Sequence, residues 1–517
     1  MESLSDTNWD VVISGTGLQH SLLALALSRS DKKILHVDPN GYYGGAEAAF
    51  SLQEVDEWVE NVNKDSSTPF RNASVWKADA ESSPEQGKLS FSRAYNLTLS
   101  PQIIYTKSKL LSQLVSSKVY RQLEFQAVGN WWIFDGQDGG SLKRLPNGRE
   151  DIFQDKSIDN RAKRSLMKFL KFVVDYQNQP EAWQAYGDSA LTDFLSSQFQ
   201  LPPSLQNVIA ALTMSLDPPN NTLVKWALPR ISRHLSSLGV FGPGFGAVVP
   251  KWGGGAEISQ VACRAGAVGG GVYVLGTGIQ NFDIVADKVG QRTEVRLSNG
   301  EVVKTRHLVQ ASEAPLVDAR VVSRVVAVVS SPLSLLFRSS VEGAPLAAVS
   351  VVVIPPNILA VEDAHQPNPI YLMVHSSETG ECPNGQCEYS SFPILTPHYM
   401  MIQLMNTYLH CVLYASTLHS DQSNKVLEKA ITKLLHSVEN GGELLCTVYY
   451  EKSQTAKSTT KLEASEASLD LAFNDEILEE VETQWASIME NPPPGSFLRF
   501  EDREGMNEYE DEENEGF

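Results

Sequence analysis

Gly15, Gly17, His20 and Asp38 are the first residues whose types and spacing could do chemistry. Gly15-Thr16-Gly17 with an acid 23 positions after Gly15 is the pattern of a turn that cradles a dinucleotide. The first glycine permits the tight turn, and the second lets the backbone approach a pyrophosphate. The third allows close packing of helix on strand, and the acid takes a ribose hydroxyl. Here the third position is His20, which is bulky at that point. Asp38 is short but long enough to reach a ribose.

The elements that must position these residues are legible. Asp10-Val11-Val12-Ile13-Ser14 suits a buried parallel strand, and an apolar helix follows through Leu22, Leu23, Leu25, Ala26 and Leu27. Ile34–Asp38 reads as a second strand, completing a βαβ unit. The next segment, YYGGAE from Tyr42 to Glu47, carries a glycine pair. Flavoprotein oxidases often flank such a pair with arginines, and this chain has Tyr and Ala in their place. A pyrophosphate would have the helix N-terminus and little else. The fold signal survives while the cofactor signal degrades. The expectation is a flavoprotein-like fold with no functional flavin; glycines that serve packing alone remain open.

Further along, residues 61–95 are polar and read as an insertion of poor order. A helix is expected from Pro101 to Val119, and a hairpin within Val128–Leu145. Leu166, Phe169, Leu170 and Val173 repeat at helical spacing, and more helix is expected at Leu191–Phe199 and Ser204–Leu216. Residues 151–227 therefore read as an all-helical domain inserted into an α/β chain, splitting it into 1–150 and 228–490. In the second part a helix near Ala256–Ala265 precedes the strand Val272–Leu275. Strands are expected within 292–310 and at Val321–Val329, Ala347–Ile354, Tyr399–Leu404 and Cys411–Tyr414. Helices are expected at Val426–Val438 and Leu469–Met489.

Composition narrows the function. The chain of 517 residues carries net charge −20, so a general nucleic-acid binder is not expected. From Glu501 to Phe517 nine acids meet one Arg, a net of −8, which leaves −12 for the rest. The tail, within the acidic segment 491–517, reads as solvated and disordered. Five cysteines make no disulfide framework, and Cys382 with Cys387 is at most half of a metal site. The first residues lack the features of a signal peptide, no apolar run of about 18 residues exists, and no cysteine lies near the terminus to prenylate. A cytoplasmic protein is expected. No nucleophile motif, zinc pair or P-loop is present.

Four blocks, in order, carry a family resemblance. They are DVVISGTGLQHSLLALALSRSDKKILHVDPNGYYGG (Asp10–Gly45), LLSQLVSSKVYRQLEFQAV (Leu110–Val128), RSLMKFLKFVVDY within Asp151–Tyr176, and WGGGAEISQVACRAGAVGGGVYVL (Trp252–Leu275). Together they resemble the superfamily of Rab escort proteins and Rab GDP-dissociation inhibitors, whose flavoprotein-like domain holds no flavin. HVDPNGYYGG and DIFQDKSIDNRAKRSLMKFLKF look like the escort branch. The resemblance implies binding of newly made, GDP-bound Rab GTPases and presentation to the heterodimeric Rab geranylgeranyltransferase. It further implies delivery of the geranylgeranylated Rab to membranes, without catalysis by this chain. A Rab GDP-dissociation inhibitor and a flavin-dependent oxidoreductase are the alternatives.

The resemblance also implies sites. The Rab platform maps onto Tyr43, Glu257 and Arg264. Glu257 and Arg264 lie two turns apart, roughly 10 Å along one helix face, too far to pair. Val272 and Val274 fall where the platform continues, or they are strand core. A Phe of the helical domain is expected to meet the transferase; Phe172 is favoured over Phe169, and both could be core. Leu166, Val173, Ile209 and Leu212 would line a prenyl pocket or simply fill the helical core. The run Gly269-Gly270-Gly271 departs from the family pattern, in which an aromatic often precedes a glycine pair.

Overall fold

A computed structural model of the chain describes residues 4–501, apart from 66–67, 79–87, 137–139, 147–151, 154, 157, 288–289, 311–318, 340–341, 363, 384–409, 439–441, 456–468 and 491. The expected strand at Tyr399–Leu404, the residue Cys387 and most of the acidic tail lie outside the described residues.

The main elements in chain order begin with β1 (Asn8–Ser14), α1 (Leu18–Leu27), β2 (Ile34–Asp38), α2 (Leu52–Val62), β3 (Phe70–Lys77), β4 (Ile104–Tyr105) and α3 (Lys109–Ser116). Then come β5 (Phe125–Asp135), β6 (Ser141–Arg144), α4 (Asn160–Val174), α5 (Leu191–Phe199), α6 (Pro203–Leu212) and α7 (Val224–Ser237). The chain continues through β7 (Ala247–Pro250), α8 (Gly255–Val268), β8 (Val272–Leu275), β9 (Ile279–Asp287), β10 (Gly290–Leu297), β11 (Val302–Gln310) and β12 (Val321–Val329). It ends with β13 (Val349–Ile354), β14 (Ile370–Ser376), β15 (Cys411–Leu418), α9 (Ser423–Ser437), β16 (Leu444–Ser453) and α10 (Glu476–Met489).

Two sheets organise these elements. The first runs β8-β2-β1-β11-β10-β9, with β8, β2, β1 and β11 parallel and the last three antiparallel. The second runs β3-β16-β12-β15-β14-β13-β5-β7-β4, with β6 on β5. Helix α1 is apolar almost all round because it is covered on several sides, with α8 and α10 packed on it. The Trp485 indole of α10 donates to Ala26 O at 3.1 Å. A helix without a polar face has to be enclosed. Helices α4–α7 form the insert, between β6 and β7 of the second sheet. The flavoprotein-like α/β fold with an inserted helical unit is thus present.

Several boundaries differ from the sequence reading. The polar stretch 61–95 contains β3, whose Phe70 and Ala73 are buried and whose backbone pairs with β16. Alternation there is masked by exposed Arg71 and Asn72. The helix expected from Pro101 starts only at Lys109. Residues 101–108 are extended around β4, and Ser108 caps the helix by accepting from Leu110 N. Helix α7 runs past residue 227 to Ser237, with Pro229 inside it; buried Leu228 and Ile231 hold it across the proline. The final helix begins at Glu476 rather than Leu469.

Candidate functional site

The loop after β1 is closed by the protein's own groups. Gly15 sits at φ +96, where a side chain would be strained. His36 Nε2 donates to Gly15 O at 2.7 Å. Asp38 does not point outward to a ribose. Its Oδ2 accepts from Thr16 N at 2.6 Å and from Thr16 Oγ1 at 2.7 Å, and its Oδ1 accepts from Asn40 N at 2.8 Å. Glu47 Oε2 accepts from Leu18 N at 3.2 Å. A carboxylate of the chain therefore sits at the N-terminus of α1, where the amides and helix dipole favour an anion. That oxygen lies 3.1 Å from where a Cβ on Gly17 would stand.

His20, at the third glycine position, is buried inside α1. Burial, aided by neighbouring His36, lowers its pKa to about 4. It is therefore a neutral packing residue at neutral pH. Burial likewise lowers His36 to about 4. The Gly269–Gly271 run has a packing reason. A Cβ on Gly269 would lie 2.7 Å from Ser28 Cβ, and Gly269 O accepts from Arg29 N. The end of α8 thus seats directly on the end of α1.

Tyr43 and Glu257 both lie within electrostatic reach of Arg264. Gly44, at φ +100, donates from its amide to Thr16 O and Thr16 Oγ1, each at 3.2 Å. This fixes Tyr43 beside the loop. Helix α8 buries Ala256, Ile258, Val261, Ala262 and Ala265 and leaves Arg264 exposed and Glu257 half-buried. Arg264 acts electrostatically on both Tyr43 and Glu257. Burial raises the Glu257 carboxyl pKa against the opposing pull of Arg264, and burial also raises the Tyr43 phenol. Among the described residues no salt bridge joins Glu257 to Arg264. Val272 and Val274 lie on β8, the edge strand of the first sheet. Val272 is 37% exposed and Val274 half-buried, so the strand-core alternative does not describe Val272.

The helical insert places its candidates differently. Phe169 is fully buried and Phe172 is 7% exposed. Their rings pack on Phe199 with centroids at 5.2 and 5.3 Å. Phe172, favoured as the surface contact, is thus a core ring in this structure; the exposed side of α4 carries cations instead. Leu166, Val173, Ile209 and Leu212 are all buried in one core. Helices α4 and α6 each pack on α5 and α7, so these four side chains contribute to the interior of a small bundle.

Sequence reasoning missed two buried cations. Arg324 of β12 donates to Leu99 O at 2.9 Å, and Lys452 of β16 donates to Ser100 Oγ at 2.6 Å. The signal was present, since Arg324 is a lone charge within VVSRVVAVV. It also missed Glu47, an acid two positions after the glycine pair. Cys382 Sγ is buried and donates to His410 O at 3.2 Å, which suits packing.

The chain matches the family model described as GDP dissociation inhibitor over residues 5–386. It is 38% identical to Rab proteins geranylgeranyltransferase component A of Saccharomyces cerevisiae, over 53% of this chain and 44% of that protein. It is 32% identical to the protein of the same name in Candida albicans, over 74% of this chain and 59% of that one. Rab escort protein 1 of Arabidopsis thaliana is 28% identical over 59% and 60% of the two chains. The matches with the first two span about half the length of those relatives. The solved Rab GDI of Plasmodium falciparum superposes with TM-score 0.61 at 19% identity, over 94% of this chain and 98% of that one. An oxidoreductase of Methanosarcina mazei superposes at 0.52 with 12% identity, over 93% and 100%. Those two likenesses describe the fold, while the family match rests on the sequence: the chain belongs to the GDP dissociation inhibitor family.

Proposed function

We propose that the chain is a Rab escort protein. It binds newly made, GDP-bound Rab GTPases, presents them to the Rab geranylgeranyltransferase heterodimer and carries the geranylgeranylated product to membranes. The observation that carries this reading is the placement of Tyr43 and Glu257 in electrostatic reach of Arg264, within a chain of this family whose relatives are named as component A of that transferase. An aromatic and an Arg beside a half-buried carboxylate form the kind of cluster that dominates interfaces. Arg264 offers a planar fork to carboxylates and carbonyls of the partner.

The chain acts as an accessory component and takes no flavin. Glu47 supports this, because its carboxylate already accepts the Leu18 amide and a pyrophosphate would meet like charge there. Asp38 adds to it, because both of its oxygens are engaged within the loop. The residues present do not fit a dinucleotide. The geranylgeranyl chain is held in the helical insert, where Leu166, Val173, Ile209 and Leu212 become its lining as the bundle parts. Each methylene moved from water into that interior contributes about 0.8 kcal/mol. No described helix is long and apolar enough to cross a membrane. Titration with an unprenylated Rab loaded with GDP tests the reading; saturable binding supports it and its absence removes it.

A further inference from the structure

Helix α4 turns four cations to solvent along one line. Arg161, Arg164, Lys168 and Lys171 are all exposed and lie at positions i, i+3, i+7 and i+10, which is one helix face. Val174, 56% exposed, continues that line. The helix contains no acid between its capping Asp159 and Asp175. Just before it, Lys156 is exposed and Phe153 is 60% exposed; Phe153 O accepts from Lys163 Nζ at 2.9 Å.

Within the structure these cations meet mostly neutral groups. Arg161 donates to Gln200 Oε1 and Arg164 to Asn160 O, while Lys168 lies over the Phe199 ring. Asp159 feels Arg161 but also accepts the Arg161 and Ala162 amides as the helix cap. Among the described residues no salt bridge takes any of the four. In a chain of net charge −20, such a concentration of positive charge is a local exception to the charge of the whole.

We infer that this face of α4 docks the protein on an anionic lipid surface. Basic residues near such a surface are drawn to it, while the acidic remainder is held off. Contact is thereby confined to one face and stays weak enough to reverse. Exposed Phe153 and Val174 flank the cations and can enter the headgroup region. The opposite face of the same helix contributes Leu166 and Val173 to the bundle interior, so docking would bring the proposed lipid-holding core up to the bilayer. This deepens the function proposed above, and its test needs neither Rab nor transferase, so the two readings fail separately.

The experiment is co-sedimentation of the full chain with vesicles of phosphatidylcholine, with and without phosphatidylserine. Binding is expected only with phosphatidylserine and should fade as salt rises. The triple variant Arg164→Glu, Lys168→Glu, Lys171→Glu should lose roughly tenfold or more in partitioning, with its circular dichroism unchanged. If that variant unfolds, Lys168→Gln with Lys171→Gln replaces it and should still weaken binding. Lys425→Glu, an exposed lysine on α9, should bind as wild type. Equal pelleting with neutral vesicles, wild-type pelleting of the α4 variants, or no pelleting at all would overturn the inference. So would variants that keep lipid binding but lose an acidic protein partner, since the face would then serve that partner.

Discussion

The Glu47 carboxylate accepts the Leu18 amide at 3.2 Å, so the first turn of α1 is capped by the segment that follows the glycine pair. The backbone that cradles a pyrophosphate elsewhere is here satisfied from within. Two of the loop's amides, those of Thr16 and Leu18, are met by the chain's own carboxylates, Asp38 and Glu47.

Glu47→Ala should therefore lower stability by about 1 kcal/mol, the worth of a carboxylate at a helix N-terminus. Chemical denaturation of both proteins checks this. An unchanged midpoint would show that the contact contributes nothing. Wild-type protein mixed with FAD and desalted should stay colourless; a retained flavin spectrum would refute the reading of the loop.

Tyr43→Ala and Arg264→Ala should each weaken Rab binding by roughly 1–3 kcal/mol. Both side chains reach the surface, so thermal unfolding should shift little. Calorimetric titration with GDP-loaded Rab measures the first, and scanning calorimetry the second. Wild-type affinity in both variants would remove the platform assignment.

Phe169→Ala should cost about 3–5 kcal/mol, because a fully buried ring leaves a cavity beside Phe172 and Phe199. Phe172→Ala should cost a similar amount. Urea unfolding decides between core and contact roles. A Phe172→Ala protein of unchanged stability that fails to engage the transferase would place that ring on the interface.

Acid should destabilise the fold through its buried histidines. His20, His36 and His234 each have a pKa lowered by burial from 6.5 to about 4. The unfolded chain then binds protons below pH 6.5 that the native state refuses until about pH 4. Stability is fully present above 6.5 and is lost as pH falls, by roughly 2–3 kcal/mol per histidine near pH 4. His234→Phe should flatten the slope of unfolding free energy between those values, whatever its effect at pH 7.5. An unaltered slope would contradict the assignment.

The fold was largely legible because its signals are local. The apolar strand, the glycine turn and the terminal acid Asp38 sit within one βαβ unit, and Val272–Leu275 and Val321–Val329 appear at their expected bounds. What stayed hidden depends on distant partners. Strand β3 exists because β16, nearly 400 residues on, offers it an edge. The partners of Asp38 and Glu47 turn inward through bonds that no spacing rule announces. Tyr43, Glu257 and Arg264 were singled out through a family motif alone; that Arg264 is exposed and Glu257 half-buried follows from which face α8 buries against α1. In the insert, helical periodicity marked Phe169 and Phe172 together, but it could not say that Phe199 would cover both.

The proposed escort role requires the chain for presentation of Rab to its transferase. Purified transferase, an unprenylated Rab and geranylgeranyl diphosphate should yield prenylated Rab, read by mass spectrometry, only when the chain is added. Arg264→Ala should restore less of that activity at limiting concentration. Prenylation at the same rate without the chain would contradict the escort reading and leave an inhibitor that only recycles Rab.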